Sequence, residues 1–185
     1  MYLTIRQQIK HLSKKDYQTI RNLCHIAKNL ANQALYNVRQ HYFRGKKYLN
    51  YYQNWNILKH SENYKKLQTH VAEQVIQQVD RMFKSFFGLL KTKKSGKYLP
   101  SVGLPYYLPK DGFMELTIVD FNLKDCMLTI PYSRSFKKAH QSIKIKVPPK
   151  LKGKKVKIIR IMPKLKARYF EVQYVYEGKE TQREN

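Results

Sequence analysis

The sequence predicts an α+β fold in which a helical block interrupts a small antiparallel β-barrel of roughly six strands. An alternating apolar and polar segment comes first, at Tyr2–Lys10, and stretches with helical spacing follow it. Five short alternating segments then occupy the chain beyond residue 113. The first strand needs a partner, and only these later strands are available to pair with it.

Two long helices and two short pieces are expected within the helical block. Ser13 is a candidate cap for the first helix, whose apolar residues recur at three- and four-residue spacing until Gly45 ends it. Short helical pieces are expected around Trp55 and Tyr64. Thr69 is the expected cap of the second long helix, which runs into a basic turn.

The segment 99–112 is rich in Pro and Gly, which predicts a loop. A slip in the apolar phase between Ile158 and Ile159 predicts a β-bulge. The expected organisation is a first barrel strand at 1–11, an inserted helical domain at 12–100, the rest of the barrel at 101–177 and a tail at 178–185. The five later strands are expected at Met114–Val119, Cys126–Tyr132, Ser142–Val147, Lys155–Met162 and Arg168–Tyr176.

Positive charge is the dominant feature of the composition. The chain has 37 Lys and Arg against 12 Asp and Glu, a net charge of +25. The excess is spread over both halves of the chain, so both are expected to face one polyanion, most simply a nucleic acid. Apolar runs are too short to cross a membrane, and the N-terminus has no signal-like core.

Few features suggest catalysis or metal binding. The six His residues and two Cys are not spaced as metal ligands, and no cofactor is expected. The densest carboxylates, Asp111, Glu115, Asp120 and Asp125, lie in predicted turns and a strand, where Asp is a common turn former. Cys24 and the other cysteine stand alone, which favours a reducing cytoplasm.

Several groups of basic and aromatic residues are candidates for nucleic-acid contact. Their lysines are expected to bind phosphates, while interleaved aromatics could stack on bases. An alternative left open is that Trp55 and one or two of the tyrosines are core residues. The groups are Lys46 and Lys47 with Tyr48, Tyr51, Tyr52, Gln53 and Trp55; Lys91, Lys93, Lys94 and Lys97 around Ser95-Gly96; Lys144 and Lys146; and Lys154, Lys155 and Lys157 with their neighbours Lys150 and Lys152.

An ordered set of segments resembles the TnpB (OrfB) proteins of insertion sequences. Each segment is degenerate alone, and the resemblance rests on their order along nearly the whole chain. The segments are LCHIAKNLANQALY at Leu23–Tyr36, VAEQVIQQVDRMFKSFF at Val71–Phe87, GLPYY at Gly103–Tyr107, Ile143–Pro149, IRIMP at Ile159–Pro163 and YFEVQ at Tyr169–Gln173.

The resemblance implies an RNA-guided DNA nuclease system related to type V CRISPR effectors. It implies a wedge-like, OB-like barrel with an inserted helical recognition domain, guide RNA and target DNA as partners, and a place at the prokaryotic nucleoid. These domains would also read a short DNA motif beside the target. The side chains implied for that reading are Tyr51, Gln53, Thr69, His70, Gln74 and Thr117. Thr69 as a helix cap and Tyr51 as a core residue remain alternatives.

The sequence departs from the family where cleavage would begin. It stops at Glu177–Asn185, and the acidic triad and zinc cysteines that the family uses are absent from it. The expectation is therefore that this chain binds nucleic acid and does not cleave it. The chain could be a truncated product, a fragment of a longer protein or a stand-alone binder, and a catalytic domain could be supplied in trans; all of these are left open. Rival interpretations are a helix-turn-helix repressor or transposase remnant acting without guide RNA, a ribosomal-type RNA-binding protein and a basic ribonuclease.

Overall fold

The structure is a computed structural model, and it describes residues 1–45, 47–96 and 100–178. Its α+β class and its order of one strand, a helical block and further strands agree with the sequence prediction. The helical part follows β1 (Tyr2–Gln8) and comprises α1 (Lys14–Gly45), α2 (Tyr51–Leu58), α3 (Glu62–Lys66) and α4 (Thr69–Lys94). After it come β2 (Leu116–Ile118), β3 (Asn122–Lys124), β4 (Met127–Thr129), α5 (Arg134–Ala139), β5 (Lys144–Lys146), a 3-10 turn (Pro149–Leu151), β6 (Val156–Lys164) and β7 (Tyr169–Glu177).

The first strand pairs with the last one. β1 runs antiparallel to β7, from Tyr2 opposite Glu177 to Gln8 opposite Glu171. The sheet continues through β6 to β2, in the order β1-β7-β6-β2. The expectation that the N-terminal strand finds its partner beyond residue 113 is therefore confirmed. A second antiparallel sheet contains β3, β4 and β5.

The expected single barrel is wrong for the part of the chain that the structure describes. The strands form two separate antiparallel sheets, and neither sheet closes on itself. Helices α1 and α4 pack against β2, the edge strand at which a further strand would have to pair. The two sheets approach each other where the Gln7 side-chain amide donates to the Lys146 carbonyl oxygen at 2.9 Å.

Side-chain caps fix the starts of the two long helices. The Ser13 hydroxyl oxygen accepts a hydrogen bond from the Asp16 N–H at 3.0 Å, as the sequence suggested. The prediction for α4 was wrong by one residue, because the cap is Gln68 and Thr69 is already helical. The Gln68 side-chain oxygen reaches the Val71 N–H at 3.0 Å, which its longer side chain allows from an extended backbone.

Other departures from the sequence prediction are local. Strand β3 is exposed at all three residues, so it has no alternation to detect, and α5 has only six residues. The register of β6 against β7 shifts between Val156 and Ile158, which places the bulge at Lys157, slightly before the predicted position. The segment 100–113 contains neither helix nor strand, as predicted.

A polar ladder on α1 holds the segment from Pro105 to Gly112. Four α1 side chains at helical spacing each contact a carbonyl oxygen of this segment, which runs in the direction opposite to α1. The four side chains therefore lie on one face of the helix. The contacts are Arg39 to Pro105 at 3.1 Å, Asn32 to Leu108 at 2.9 Å, Lys28 to Lys110 at 2.7 Å and His25 Nδ1 to Gly112 at 3.3 Å.

Two residues of the ladder have further features: Asn32 makes a second hydrogen bond, and Lys28 is nearly buried. The Asn32 side chain also accepts the Leu108 N–H at 2.9 Å, so one amide satisfies both backbone groups of Leu108. Lys28 is only 3% exposed. Burial lowers the pKa of its ammonium group, and the nearby Asp111 carboxylate opposes that shift. The ladder therefore includes a nearly buried charge.

Direct packing joins the helices to the first sheet. The Tyr17 ring lies 5.7 Å from the Phe170 ring, and its hydroxyl donates to the Ala167 carbonyl at 2.6 Å. The Met114 N–H donates to the Cys24 carbonyl oxygen at 3.1 Å, just before β2 begins. Buried residues of both regions form one continuous hydrophobic core. Among the described residues, no helix has the length and apolar character that a membrane crossing requires.

The ladder predicts a stability difference between two asparagines of α1. Replacing Asn32 with Ala leaves both backbone groups of Leu108 without their partner, so the free energy of unfolding should fall by about 1–3 kcal/mol. Exposed Asn22 is the matched control, and its replacement with Ala should change stability by less than about 0.5 kcal/mol. Urea unfolding measures both values. Equal effects of the two substitutions would contradict the ladder.

The two cysteines should differ in reactivity. Cys24 is fully buried, and burial raises the pKa of its thiol, whereas Cys126 is exposed in the turn between β3 and β4. A thiol reagent such as iodoacetamide should therefore modify only Cys126 in the native protein and both residues in denaturant. Mass spectrometry of the digested protein identifies the labelled site, and native labelling of Cys24 would contradict the packing of α1.

Candidate nucleic-acid interface

The helical surface between Asp16 and Glu62 contains no carboxylate side chain, because the sequence has no Asp or Glu between these two residues. This stretch covers almost all of α1 and the whole of α2. Its Lys and Arg residues lie on α1 and in the segments that flank α2, which has none of its own. Carboxylates from elsewhere in the chain approach only in places, as Asp111 does beside Lys28 and Asp80 beside Tyr48, so the charge of the stretch itself is positive. Such a surface favours a polyanion.

Several predicted lysines lie at the end of the helical part that is remote from the sheets. Lys91, Lys93 and Lys94 are exposed in the last turn of α4. Lys47 follows α1 and is also exposed, and the Tyr42 and Phe87 rings, 5.6 Å apart, bring the ends of α1 and α4 together. These four lysines therefore share one end of the molecule. Lys46 and Lys97 lie outside the described residues.

The remaining predicted lysines lie on the sheets. Lys144 and Lys146 point outward on either side of buried Ile145, beside the Gln7 end of β1. Lys154, Lys155 and Lys157 lie at the other end of β1, because the Lys155 carbonyl accepts the Glu177 N–H and Glu177 pairs with Tyr2. The structure thus places the two lysine groups at opposite ends of one strand, roughly 16 Å apart at about 3.3 Å per residue.

Two of the sheet lysines already have partners. Lys157 forms an ion pair with Glu177 at 3.1 Å, which raises the pKa of the lysine and lowers that of the carboxyl group. The Lys154 ammonium lies 4.5 Å from the centre of the Tyr176 ring. For a phosphate ligand, Lys157 therefore offers less free charge than Lys144 or Lys155.

Most side chains implied for motif reading lie around the start of α4. Gln74 donates to Gln77 at 3.1 Å, and burial raises the pKa of nearby Tyr51, whose hydrogen bond with Gln77 opposes the shift. Thr69 is exposed at the first position of the helix. Exposed His70 lies 3.0 Å from Glu73 and 4.0 Å from Asp120. The carboxylates of Glu73 and Asp120 therefore flank this surface.

Two of the implied residues are less available for reading bases. Thr117 is only 7% exposed, since the helices cover β2, so its side chain offers a ligand little surface in this conformation; its role in reading bases stays a prediction. Gln53 is exposed, but its side chain is occupied in a capping box with Asn50. The Gln53 side-chain oxygen accepts a hydrogen bond from the Asn50 backbone N–H at 3.1 Å, and the Gln53 backbone N–H donates to the Asn50 side-chain oxygen.

The aromatic residues near α2 divide into structural and exposed ones. Tyr48 packs on Phe87 and donates to Asp80, and burial with this hydrogen bond raises its pKa. Trp55 donates from its indole N–H to the Tyr64 hydroxyl at 3.0 Å. Both therefore serve packing, which was the alternative interpretation. Tyr52 is 72% exposed and remains available for stacking.

A polar cleft that the sequence did not predict lies between α1, the residues after the ladder and α5. It has a volume of about 720 Å³ and is lined in part by Lys15, Arg21 and His25 from α1 and by His140 after α5. The Arg21 guanidinium lies 4.7 Å from the centre of the Phe113 ring. Because α5 itself was not predicted, no sequence signal could have joined His140 to the α1 residues.

In the described ranges, no group of three or more His, Cys, Asp or Glu residues is arranged to hold a metal ion. Comparison with known proteins gave no further guide, since no family model matches the chain and no curated protein matches it.

The distal lysines should bind phosphate without reading sequence. Replacing both Lys93 and Lys94 with Gln should weaken binding to all sequences alike and lower the salt slope by up to about 0.9 per lost contact on duplex DNA. The control is the double variant Glu62→Gln, Lys66→Gln, which removes an exposed ion pair and leaves the net charge unchanged. Fluorescence anisotropy over a salt series measures both quantities. An unchanged slope for the variant of Lys93 and Lys94 would exclude this end of the molecule from the interface.

Proposed function

We propose that this chain is the nucleic-acid-binding module of a TnpB-like transposon protein. In this proposal it holds a guide RNA and the guide–target duplex and reads a short DNA motif beside the target, with no cleavage by this chain. The observation that carries the proposal is the net charge of +25, together with the absence of Asp and Glu from the sequence between Asp16 and Glu62, which covers most of α1 and all of α2. The ordered resemblance of its segments supplies the family.

The arrangement of the lysines supports binding of an extended ligand. One group lies at the distal end of the helices and two others lie at opposite ends of β1, so no single compact phosphate could engage them all. A duplex or folded RNA spans such distances and gains affinity from each neutralised phosphate. The carboxylates beside His70 favour a separate, weaker role for the start of α4, in which hydrogen bonds select bases.

The motif-reading part of the proposal is tested on Gln74. A glutamine amide can pair with both N6 and N7 of adenine, so Gln74→Ala should remove the preference at one motif position, at a cost of about 1–3 kcal/mol. Gln78, half-buried one turn later on α4, is the matched control and should leave the preference intact when replaced with Ala. The measurement is selection by guide-loaded protein from a duplex library randomised beside the target.

The outcomes separate the proposal from its rival. Loss of one position's preference in the Gln74 variant alone supports motif reading. Equal losses for both variants across all sequences contradict it. Sequence-specific duplex binding that persists after ribonuclease treatment would instead favour a DNA-binding protein that needs no guide RNA.

A further inference from the structure

A groove lined by uncharged amides runs along the outer face of α1, opposite α2 and α3. It consists of two depressions of about 710 and 460 Å³ that share Tyr36, Asn37 and Ile57, so they form one continuous feature, called here the amide groove. Both volumes lie within the roughly 300–1,000 Å³ typical of small-ligand sites. The groove is therefore large enough for a nucleobase and its sugar.

Apolar side chains stand at the junction of the two depressions without being covered. Tyr36 is 53% exposed on α1, and Ile57 is 57% exposed on α2. Single exposed apolar residues are ordinary on protein surfaces. Here, however, the Tyr36 ring and the Ile57 side chain line the same concave surface. A flat base could stack on the Tyr36 ring and contact Ile57 at the same time.

The amides along the groove are held in place yet keep hydrogen-bonding capacity. The Asn37 side chain donates to Asn54 at 3.0 Å, and buried Asn54 in turn donates to the Ala34 carbonyl at 3.1 Å. Asn63 donates to the Gln33 side-chain oxygen at 3.2 Å, which links α3 to α1. The Gln33 amino group and the Asn63 carbonyl oxygen are left as one donor and one acceptor, the pair that a base edge requires.

The charges around the groove suit a phosphate backbone. Among the residues that the structure describes, no carboxylate lines either depression, while Arg44 and Lys47 line one end of the smaller one. The carboxylate closest in sequence, Glu62, forms an ion pair with Lys66 on the exposed side of α3. A strand that places a base on Tyr36 would therefore meet cations and no anionic lining.

We propose that the amide groove binds an unpaired base of single-stranded RNA or DNA. Tyr36 stacks on the base, Gln33 and Asn63 contact its edge, and Arg44 with Lys47 contact the adjoining phosphates. A duplex would not serve, because its base faces are stacked and unavailable to Tyr36. This inference rests on the proposed nucleic-acid function and adds a base-binding site distinct from the surface at the start of α4.

The test separates bases from phosphates. Fluorescence anisotropy measures binding of the full chain to a 12-nucleotide dA strand and to an abasic strand of equal length, which carries the same phosphates. Tyr36→Ala should weaken binding to the dA strand roughly tenfold and leave binding to the abasic strand unchanged. Tyr36→Phe keeps the stacking face and should retain affinity within about twofold.

Control variants address specificity and folding. Tyr106 is 81% exposed and lines neither depression, so Tyr106→Ala should bind both strands like the unmodified chain. Gln33→Ala should change the order of affinity among dA, dC, dG and dT strands, because it removes an edge contact. Unchanged circular dichroism and thermal midpoints show that the variants remain folded.

The outcomes distinguish failure of the base-binding inference from failure of the proposed nucleic-acid function. If Tyr36→Ala loses affinity equally for both strands, or for neither, the base-binding inference is overturned while steep salt-dependent binding still supports the proposed function. If no strand binds with a steep salt dependence, the proposed function itself fails, and the groove inference fails with it.

Discussion

The backbone between Pro105 and Gly112 lies outside both sheets, so its polar groups must find partners elsewhere. The polar ladder of α1 supplies them, with one side chain for nearly every turn of the helix. This contact determines where the chain re-enters the sheet, because Met114 bonds to Cys24 immediately before β2. The position of the helices on the first sheet therefore depends on this ladder and on Tyr17 against Phe170.

Helix α1 makes a different kind of contact on each of its sides. One side of the helix packs in the core, a second binds the extended segment, and a third faces α2 and α3 across the amide groove. Arg39 marks the boundary, since it donates to Pro105 while its guanidinium lies 4.9 Å from the centre of the Tyr107 ring. The same helix thus organises the fold and presents amides and cations without a carboxylate between them.

Periodicity was sufficient to predict the long elements. Helices α1 and α4 and strands β1, β6 and β7 carry repeated apolar spacing over many residues, so each was predicted within a few residues of its observed bounds. Short elements such as β3 and α5 carry too few residues for a pattern. The barrel failed because nothing in a strand's own residues shows that helices will cover β2. For the same reason the burial of Thr117 could not be predicted, and the amide groove, which depends on three separate helices, had no signature in sequence.

The pairing of β1 with β7 has a consequence for how the chain folds. Tyr2 meets Glu177 only after the whole intervening chain has been made, which is a contact of very large sequence separation. The helices, whose contacts are closer in sequence, can pack while β1 is still an open edge, and an open edge invites association with other chains. Thr4, Arg6 and Gln8 make every second position of β1 polar. Because β1 remains an edge strand of the completed sheet, a polar and partly charged outer face makes it a poorer template for pairing with another chain, both before and after β7 is in place.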